Sequence, residues 1–317
     1  RSMTYGCKKK TIAKIIKAKL DDWLKSIDNK ELKTLIKRDV IVTGGSITSM
    51  LLGEEIKDFD IYFRTKETTI AVAEYYCKDF IDRNPKTYLN PRVQCNEEGR
   101  VTIHVASAGV AESDDAPQSS EEEYENNLRE GGACPNLSDV FKVPEVPSAT
   151  DSVVVRDKYT PVFLSENAIT LTDKVQLVIR FYGEPGEIHK NYDYIHCQNV
   201  YDYNTGVVHL LPEAMEAILS KNLLYTGSLY PICSLFRMRK FLDRGWRISA
   251  GEIVKMSFQI SKLDLSDLKV LKEQLTGCDM IYMASLISAL HTWSDENPGI
   301  ELDNTYMMGI IDKVFNQ

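Results

Sequence analysis

The chain has 317 residues, enough for two domains or for one large domain with insertions. Apolar residues make up 43% and charged residues 26%, which are ordinary values for a globular protein with a sizeable core. The formal net charge of −8 argues against a nucleic-acid partner. Because no apolar stretch is long enough to span a bilayer, the sequence also argues against a membrane protein.

The negative charge is concentrated in one segment. Residues 112–151 hold eleven acidic and two basic residues, a balance of −9, so the rest of the chain carries +1. Residues 1–40 alone carry +7. The composition therefore does not exclude a polyanionic partner.

The seven cysteines are odd in number, widely scattered and without a CxxC pair. This pattern is typical of free thiols in a reducing compartment and does not favour a disulfide framework or a zinc site. The start of the chain lacks the basic, apolar and small-residue pattern of a secretory signal. We therefore expect a cytoplasmic protein, located in the host cytoplasm if it is viral.

The first 40 residues predict a basic helical arm. Apolar positions at helical spacing over 8–38 indicate two helices that are broken near Asp28 and Asn29. One face carries Lys10, Lys14 and Lys17, which could follow a phosphate backbone. The ordinary alternative is the solvated face of an amphipathic helix.

An α+β head with a mixed sheet is predicted over 41–211. A short β-branched run, 39–42, ends in Gly44-Gly45-Ser46 and is followed by a helix over 47–52. Further on we predict a strand over 59–63, a helix over 68–81, and strands around Val93 and over 101–106. The segment 111–150 has the composition of a disordered acidic insertion. Further strands are predicted at 152–157, 161–164, 168–171, 175–182, 192–202 and 206–211.

A helical neck and C-terminal domain are predicted over 212–317. The pattern from Pro212 onward is helical almost to the end, with breaks at Gly227, Gly245 and 297–299.

Two aspartates, Asp58 and Asp60, lie at the beginning of the predicted strand 59–63. Side chains at i and i+2 of a strand point the same way, so Asp58 and Asp60 share one face. Phe59, Ile61 and Phe63 share the other face and can bury against helices. Because two carboxylates so close repel each other unless a cation lies between them, the pair suits Mg²⁺ or Mn²⁺ bound together with substrate phosphates.

The Gly44-Gly45-Ser46 turn suits a phosphate group. Its glycines let backbone N–H groups approach closely, the serine adds a hydroxyl donor, and the following helix presents its positive N-terminus. Metal-binding carboxylates beside such a turn are what phosphoryl or nucleotidyl transfer by a two-metal mechanism requires. A surface turn beside a solvated strand end is the alternative explanation.

The Gly-Gly-Ser and Asp-x-Asp arrangement resembles the signature of the polymerase-β-type nucleotidyltransferase superfamily. A second segment, 192–202 (YDYIHCQNVYD), is similar to the Arg-Asp-Phe-Thr-Ile-Asn motif and the Ala-Tyr-Asp that follows it in class II CCA-adding enzymes and bacterial poly(A) polymerases. A third segment, 231–248 (PICSLFRMRKFLDRGWRI), is similar to their neck motif. The chain also resembles uncharacterised proteins of large tailed phages, which implies a phage-encoded protein. The likeness to the enzymes covers about 40–65 and 170–250, and it implies a polymerase-β-like head followed by a helical neck.

The chain departs from that pattern at several positions. Tyr192 stands where the second motif has arginine, and Cys197 stands where it has asparagine. The side chains with which those enzymes select the incoming base are not visible before Arg237. The resemblance therefore implies nucleotidyl transfer but not CCA-type base selection.

Six further residues are candidates for the site, of which four are basic. Asp193 would be a third acidic group that binds metal or the nucleotide, although a buried structural aspartate is an equal alternative. Tyr194 could stack on a base, although an aromatic residue in a strand more often belongs to the core. Arg237 and Arg239, with Lys240 and Arg244, could hold the triphosphate or the primer. Solvent-exposed basic residues are the alternative for these four positions.

The expected activity is template-independent transfer of a nucleoside monophosphate from an NTP, ATP being favoured, to an RNA 3′-hydroxyl. Asp58, Asp60 and Asp193 are the expected catalytic and metal-binding residues. Gly44, Gly45, Ser46, Tyr194, Arg237 and Arg239 are the expected nucleotide-binding residues. A toxin-like transferase that modifies a protein or a tRNA end, and a scaffold with a degenerate nucleotide site, remain alternatives. The oligomeric state stays open.

Overall fold

The computed structural model describes residues 6–85, 90–106, 157–275, 280–300 and 303–315. The predicted acidic insertion 111–150 lies outside these residues, as does the predicted strand 152–157 except for its last residue. The described residues fall into two compact units, one that ends at Leu224 and one that begins at Tyr225.

The first unit combines a sheet with helices. In chain order it contains α1 (Lys9–Lys25), α2 (Lys30–Asp39), β1 (Val40–Thr43), α3 (Gly45–Leu52), β2 (Phe59–Phe63), α4 (Lys66–Arg83), β3 (Asn90–Cys95), β4 (Val101–Ala106), β5 (Pro161–Leu164), β6 (Ala168–Leu171), β7 (Val175–Val178), α5 (Pro185–His189), a 3₁₀ helix (Ile195–Cys197), β8 (Val200–Asp202), β9 (Val207–His209), α6 (Pro212–Ser220) and β10 (Asn222–Leu223).

The second unit is mainly helical. It contains α7 (Pro231–Asp243), β11 (Arg247–Ile248), α8 (Ala250–Ile260), α9 (Leu268–Leu275), α10 (Met280–Glu296) and α11 (Asn304–Phe315). Its core is small, and its buried apolar side chains include Leu271, Leu286, Leu290 and Ile310.

Seven strands form the main sheet, in the order β5-β6-β7-β2-β1-β8-β9. The β2–β7 pair is parallel, and the other pairs with a known register are antiparallel, so the predicted α+β fold with a mixed sheet is confirmed. Strand β1 lies between β2 and β8: Val42 pairs with Ile61 on one side and with Tyr201 on the other. The hairpin β3–β4 forms a separate two-stranded sheet.

Helices α1 and α2 belong to the core of the first unit and do not form a separate arm. Ile12, Ile16, Leu20 and Trp23 of α1 are fully buried in its main apolar cluster. Each such side chain stabilises the fold by about 1.5–3 kcal/mol relative to exposure. The break between the helices is as predicted, because the Asn29 side chain caps α2.

The segment between β7 and β8 differs from the prediction. Strands were expected over 175–182 and 192–202, but β7 ends at Val178 and β8 begins only at Val200. Glu184 and Glu187 form a reciprocal capping box that begins α5, and Pro185 occupies its first position. Residues 192–199, which were expected on a strand, therefore precede β8, and 195–197 of them form the 3₁₀ helix.

Cysteines in the described residues are of two kinds. Cys7, Cys77, Cys95 and Cys197 are free thiols, as expected. Cys233 is disulfide-bonded, so the expectation that all seven are free is wrong at this position. In the part of the chain that the structure describes, no helix is both long enough and apolar enough to cross a membrane.

Candidate functional site

The turn after β1 brings its backbone against Asp60. Gly44 has φ 104° and ψ −153°, a conformation that residues with a side chain rarely adopt. A Cβ atom at this position would lie 3.0 Å from Asp60 Oδ2 and 3.6 Å from the Tyr192 hydroxyl. Glycine is therefore required both for the backbone conformation and for the close approach of the turn to the carboxylate.

Helix α3 begins inside the predicted Gly-Gly-Ser turn. The first backbone N–H groups of a helix have no intrahelical partner and favour an anion. Space beside Gly45 is open, since a Cβ there would meet nothing within 4 Å. Ser46 is only 2% exposed, and its Oγ has no hydrogen-bond partner in the described residues. A buried hydroxyl without a partner costs about 1–3 kcal/mol, and a phosphate oxygen at the start of α3 is a suitable partner for it.

The segment 192–199 is joined to this turn by hydrogen bonds. The Gly44 amide donates to the Cys197 carbonyl at 3.1 Å. The Thr43 hydroxyl donates to the Asn199 carbonyl at 2.7 Å, and the Thr48 hydroxyl donates to the His196 carbonyl at 2.8 Å. The first two segments that resemble the nucleotidyltransferase motifs therefore form one structural element.

The alternation predicted for β2 is confirmed. Phe59, Ile61 and Phe63 are buried in the main apolar cluster of the first unit. Asp60 is half-buried on the opposite side of β2, whereas Asp58 lies just before the strand and is exposed. The alternation of side chains along an extended chain places both carboxylates on the side of the sheet away from that cluster.

Tyr192 is a neighbour of Asp60 that the sequence did not identify as a site residue. Its ring lies 6.2 Å from that of Tyr62, and its hydroxyl is hydrogen-bonded to the Tyr62 hydroxyl. Burial raises the pKa of Tyr192 well above its ordinary value, and the nearby Tyr62 and Asp60 raise it further. The residue therefore stays protonated and presents a neutral hydroxyl where the related motif has a charged arginine.

His189 contacts both Thr43, at the end of β1, and the ring of Tyr192. Its Nε2 lies 2.8 Å from the Thr43 hydroxyl oxygen, and its ring centroid lies 5.0 Å from that of Tyr192. In its Nε2–H tautomer His189 donates to the Thr43 hydroxyl oxygen, whose own proton is then available to the Asn199 carbonyl. Burial lowers the pKa of His189 to about 4, so the ring is neutral at pH 7.

The carboxylates fit a magnesium ion that is bound together with a nucleotide. Among the described residues, no group of three or more His, Cys, Asp or Glu side chains is placed to hold a metal. A Mg²⁺ ion commonly takes only one or two carboxylates from the protein and the rest of its ligands from substrate phosphates and water. Asp60 lies beside the turn, and Asp58 is on the same side of the sheet, so these two carboxylates suit this role.

Asp193 differs in its position from the prediction. It lies in a bend between α5 and the 3₁₀ helix, not on a strand, and it is 5% exposed. It does not form a three-carboxylate metal group with Asp58 and Asp60.

Tyr194 belongs to the core, which corrects its expected role in base stacking. The side chain is fully buried, and its ring centroid lies 6.0 Å from that of the buried His196, so it presents no exposed face to a base. Arg237 and Arg239 lie on α7 of the second unit, and both are exposed.

Solved structures of tRNA-processing enzymes are similar to the chain at low identity. The Thermotoga maritima CCA-adding enzyme complexed with tRNA is 12% identical, with a TM-score of 0.36 over 92% of this chain and 68% of that chain. A tRNA-processing enzyme in an apo form is 11% identical, with a TM-score of 0.37 over 92% of this chain and 61% of that chain.

A curated relative and a family model match the chain in sequence. The relative, Gabija anti-defense 2 of Bacillus phage SPbetaL7, is 22% identical over 252 residues, which cover 78% of this chain and 44% of the relative. The chain thus spans less than half the length of that relative. The model of the Gad2 family, Gabija anti-defense 2, matches residues 14–221 and so covers almost the whole first unit up to Leu224. The chain belongs to the Gabija anti-defense 2 family.

Proposed function

We propose that the chain transfers a nucleoside monophosphate from an NTP to an acceptor hydroxyl and releases pyrophosphate. One observation carries this proposal: the Gly44 turn, the start of α3 and the Asp60 carboxylate meet at one place. That place combines the first N–H groups of α3, which have no partner within a helix, with the Asp60 carboxylate and the buried Ser46 hydroxyl, which has no partner among the described residues. These groups are the ones that an NTP and its metal ion require.

Each residue of the site has a distinct role in this proposal. Gly45 and Ser46, with the first N–H groups of α3, bind the β- and γ-phosphates. Asp58 and Asp60 hold Mg²⁺ or Mn²⁺, which supplies acidity to the acceptor hydroxyl and neutralises charge on the leaving oxygen. Tyr192 offers a neutral hydroxyl beside Asp60 and keeps that carboxylate oriented.

Three further residues complete the proposal. Asp193 follows Tyr192 in the chain and is buried. In this proposal it positions the segment 192–199 behind the turn. Arg237 and Arg239 are exposed cations that bind the nucleotide or the primer.

The proposed acceptor is an RNA 3′-hydroxyl, with ATP as the favoured donor, which makes the activity a tailing reaction. Membership of a family named for anti-defense favours a second candidate. In that case the same transfer is directed at a component of a bacterial defence system, on a protein hydroxyl or a tRNA end. A phage-encoded relative is consistent with either acceptor inside a host cell.

The test is a transfer assay with two labelled components. A 5′-labelled RNA is incubated with each NTP and Mg²⁺ or Mn²⁺ and resolved on a gel, and a parallel reaction supplies α-labelled NTP with host-cell protein and tRNA. A ladder on the RNA supports tailing, and a single addition to tRNA or protein supports the second candidate. Binding of NTP without any transfer would contradict both and favour a nucleotide-binding scaffold.

Matched variants show whether the proposed site is responsible. The Asp58→Asn/Asp60→Asn double variant should lose at least about 100-fold in rate, because a metal ion contributes several kcal/mol to the transition state. The control, Asp79→Asn/Asp82→Asn, neutralises two carboxylates on α4 that pair with Arg83 and Lys78. Transfer by the first double variant at the rate of the control would contradict the assignment.

A further inference from the structure

A basic pocket lies on the helical side of the first unit, where α1, α2 and the end of β8 meet. It has a volume of about 310 Å³. It is lined by Asp21, Leu24, Lys25, Lys33, Lys37 and Tyr203. This volume is at the lower end of the range of small-molecule binding sites, which are about 300–1,000 Å³.

The positive charge of this pocket is not balanced within it. Lys25, Lys33 and Lys37 form no ion pair or hydrogen bond with any residue that the structure describes. The acidic side chain of the pocket, Asp21, accepts hydrogen bonds from Lys17 and from the Tyr203 hydroxyl, the latter at 2.6 Å. Asp21 is thus already paired with Lys17, and the three lysines Lys25, Lys33 and Lys37 outnumber this one carboxylate in the lining of the pocket.

The pocket is separate from the Gly-Gly-Ser turn. The Tyr203 amide is hydrogen-bonded to the Val40 carbonyl at the start of β1, whereas Gly44 follows its end. The four residue steps from Val40 to Gly44 span about 13 Å in an extended chain. Tyr203 also packs against the main apolar cluster, on the side of the sheet opposite to Asp60. One phosphate group cannot occupy both places.

A line of lysines on α1 leads to the pocket. Lys10, Lys14 and Lys17 follow helical spacing, and the same face continues through Asp21 to Lys25. From Lys10 to Lys25 the helix rises about 22 Å, a length comparable to a few nucleotides of single strand. Lys10 and Lys14 are exposed, and Lys17 lies 5.6 Å from the Tyr203 ring centroid. The basic surface is therefore continuous with the pocket.

We propose that the pocket lined by Lys25, Lys33 and Lys37 is a second phosphate-binding site, distinct from the nucleotide site at the turn. Three ammonium groups suit the oxygens of phosphate, and Tyr203 is part of the pocket wall. The phosphate comes either from the backbone of a nucleic-acid strand that follows α1 or from a free polyphosphate. This inference concerns binding alone and does not depend on the transfer chemistry.

Binding measurements in the absence of divalent cations test the proposal. Two probes are used: a fluorescein-labelled 12-nucleotide oligouridylate measured by anisotropy, and inorganic tripolyphosphate measured by calorimetry. The variant is Lys33→Gln/Lys37→Gln. The control is Lys262→Gln/Lys269→Gln, which removes two exposed lysines of the second unit. Thermal unfolding by circular dichroism checks that both variants fold, and any binding at the turn is common to both.

The pocket variant should bind at least one probe about tenfold more weakly than the control, since two charged hydrogen bonds are lost. If the strand is the source, the slope of log affinity against log salt for the oligonucleotide falls in magnitude by about 1.4. Lys10→Gln/Lys14→Gln then weakens oligonucleotide binding but not tripolyphosphate binding. Weaker tripolyphosphate binding in the pocket variant identifies a site that also accepts free polyphosphate. Equal binding of both probes by the pocket variant and the control would overturn the proposal.

Discussion

The amide nitrogen of Gly44 donates a hydrogen bond to the carbonyl oxygen of Cys197, 3.1 Å away. This bond joins the turn that follows β1 to a segment far downstream in the chain. Gly44 therefore has three constraints: a positive φ, the close approach to Asp60 and this backbone bond. The two halves of the proposed nucleotide site consequently form together, and a change at the turn is transmitted to both.

Gly44→Ala should lower the free energy of unfolding by about 1–3 kcal/mol, because a side chain is strained at φ 104°. The added Cβ would also lie 3.0 Å from Asp60 Oδ2 and would displace the carboxylate. Urea unfolding measures the change in stability, and titration with a non-hydrolysable ATP analogue measures the accompanying loss of nucleotide affinity.

Gly45→Ala is the matched stability control, because a Cβ there meets nothing within 4 Å and the backbone is helical. Its free energy of unfolding should stay within about 0.5 kcal/mol of the unmodified chain. Equal stability of the two variants would show that the turn does not hold Gly44 in the conformation described.

Ser46→Ala separates stability from function. The Ser46 hydroxyl is buried and has no hydrogen-bond partner among the described residues, so its removal should leave the free energy of unfolding unchanged or raise it by up to about 1 kcal/mol. If that hydroxyl binds a phosphate, affinity for the ATP analogue should fall about tenfold. Urea unfolding and calorimetric titration give the two quantities.

Thr48→Val provides the comparison for a buried hydroxyl that does have a partner. Thr48 donates to the His196 carbonyl at 2.8 Å, and the valine would leave that carbonyl unpaired. The expected destabilisation is about 1–3 kcal/mol. Should Ser46→Ala destabilise the fold as much as Thr48→Val, the Ser46 hydroxyl would be structural rather than a ligand for phosphate.

Local patterns predicted most of the first unit. The alternation at Phe59, Ile61 and Phe63 gave the buried face of β2, because side-chain direction in a strand depends only on position. The glycines of the turn indicated the start of α3, because positive φ and an open helix N-terminus depend on a few neighbouring residues.

Contacts between distant segments could not be predicted in this way. Tyr194 was expected to be able to face a base, yet it is buried because the segment 192–199 packs behind the turn. The same packing brings Tyr192 to Asp60, and the only sequence signal was its departure from the arginine of the related motif.

Asp39→Asn should reduce the acid sensitivity of the fold. Burial by itself would raise the pKa of Asp39, but hydrogen bonds from Arg38, Thr65 and Thr68 outweigh it and lower the pKa to about 2. A carboxylate with a depressed pKa stabilises the native state above its ordinary value of 3.8 and loses that contribution as the pH falls through 2. The contribution is roughly 2 kcal/mol.

Urea unfolding between pH 6 and pH 2 measures this difference. The unmodified chain should lose roughly 2 kcal/mol more stability than Asp39→Asn over that range. Asp82→Asn is the control, because its side chain is exposed and, within the part of the chain that the structure describes, its ion pair is with Lys78 on the same helix. The control should follow the unmodified chain, and identical pH curves for Asp39→Asn and the control would contradict the role given to this network.

His189→Gln should reduce a second pH dependence of the free energy of unfolding, which acts at higher pH than that of Asp39. Burial lowers the pKa of His189 to about 4, so the unfolded chain binds a proton at higher pH than the native state does. The native state therefore loses stability as the pH falls from 6.5 to about 4. Glutamine keeps a donor for the Thr43 hydroxyl but does not titrate, so this loss should be smaller in the variant.

His209→Gln, at an exposed position of β9, should retain the loss seen in the unmodified chain. Unfolding curves at pH 7, 5.5 and 4 test this, and a His189→Gln curve that follows the control would show that the imidazole is charged within the fold.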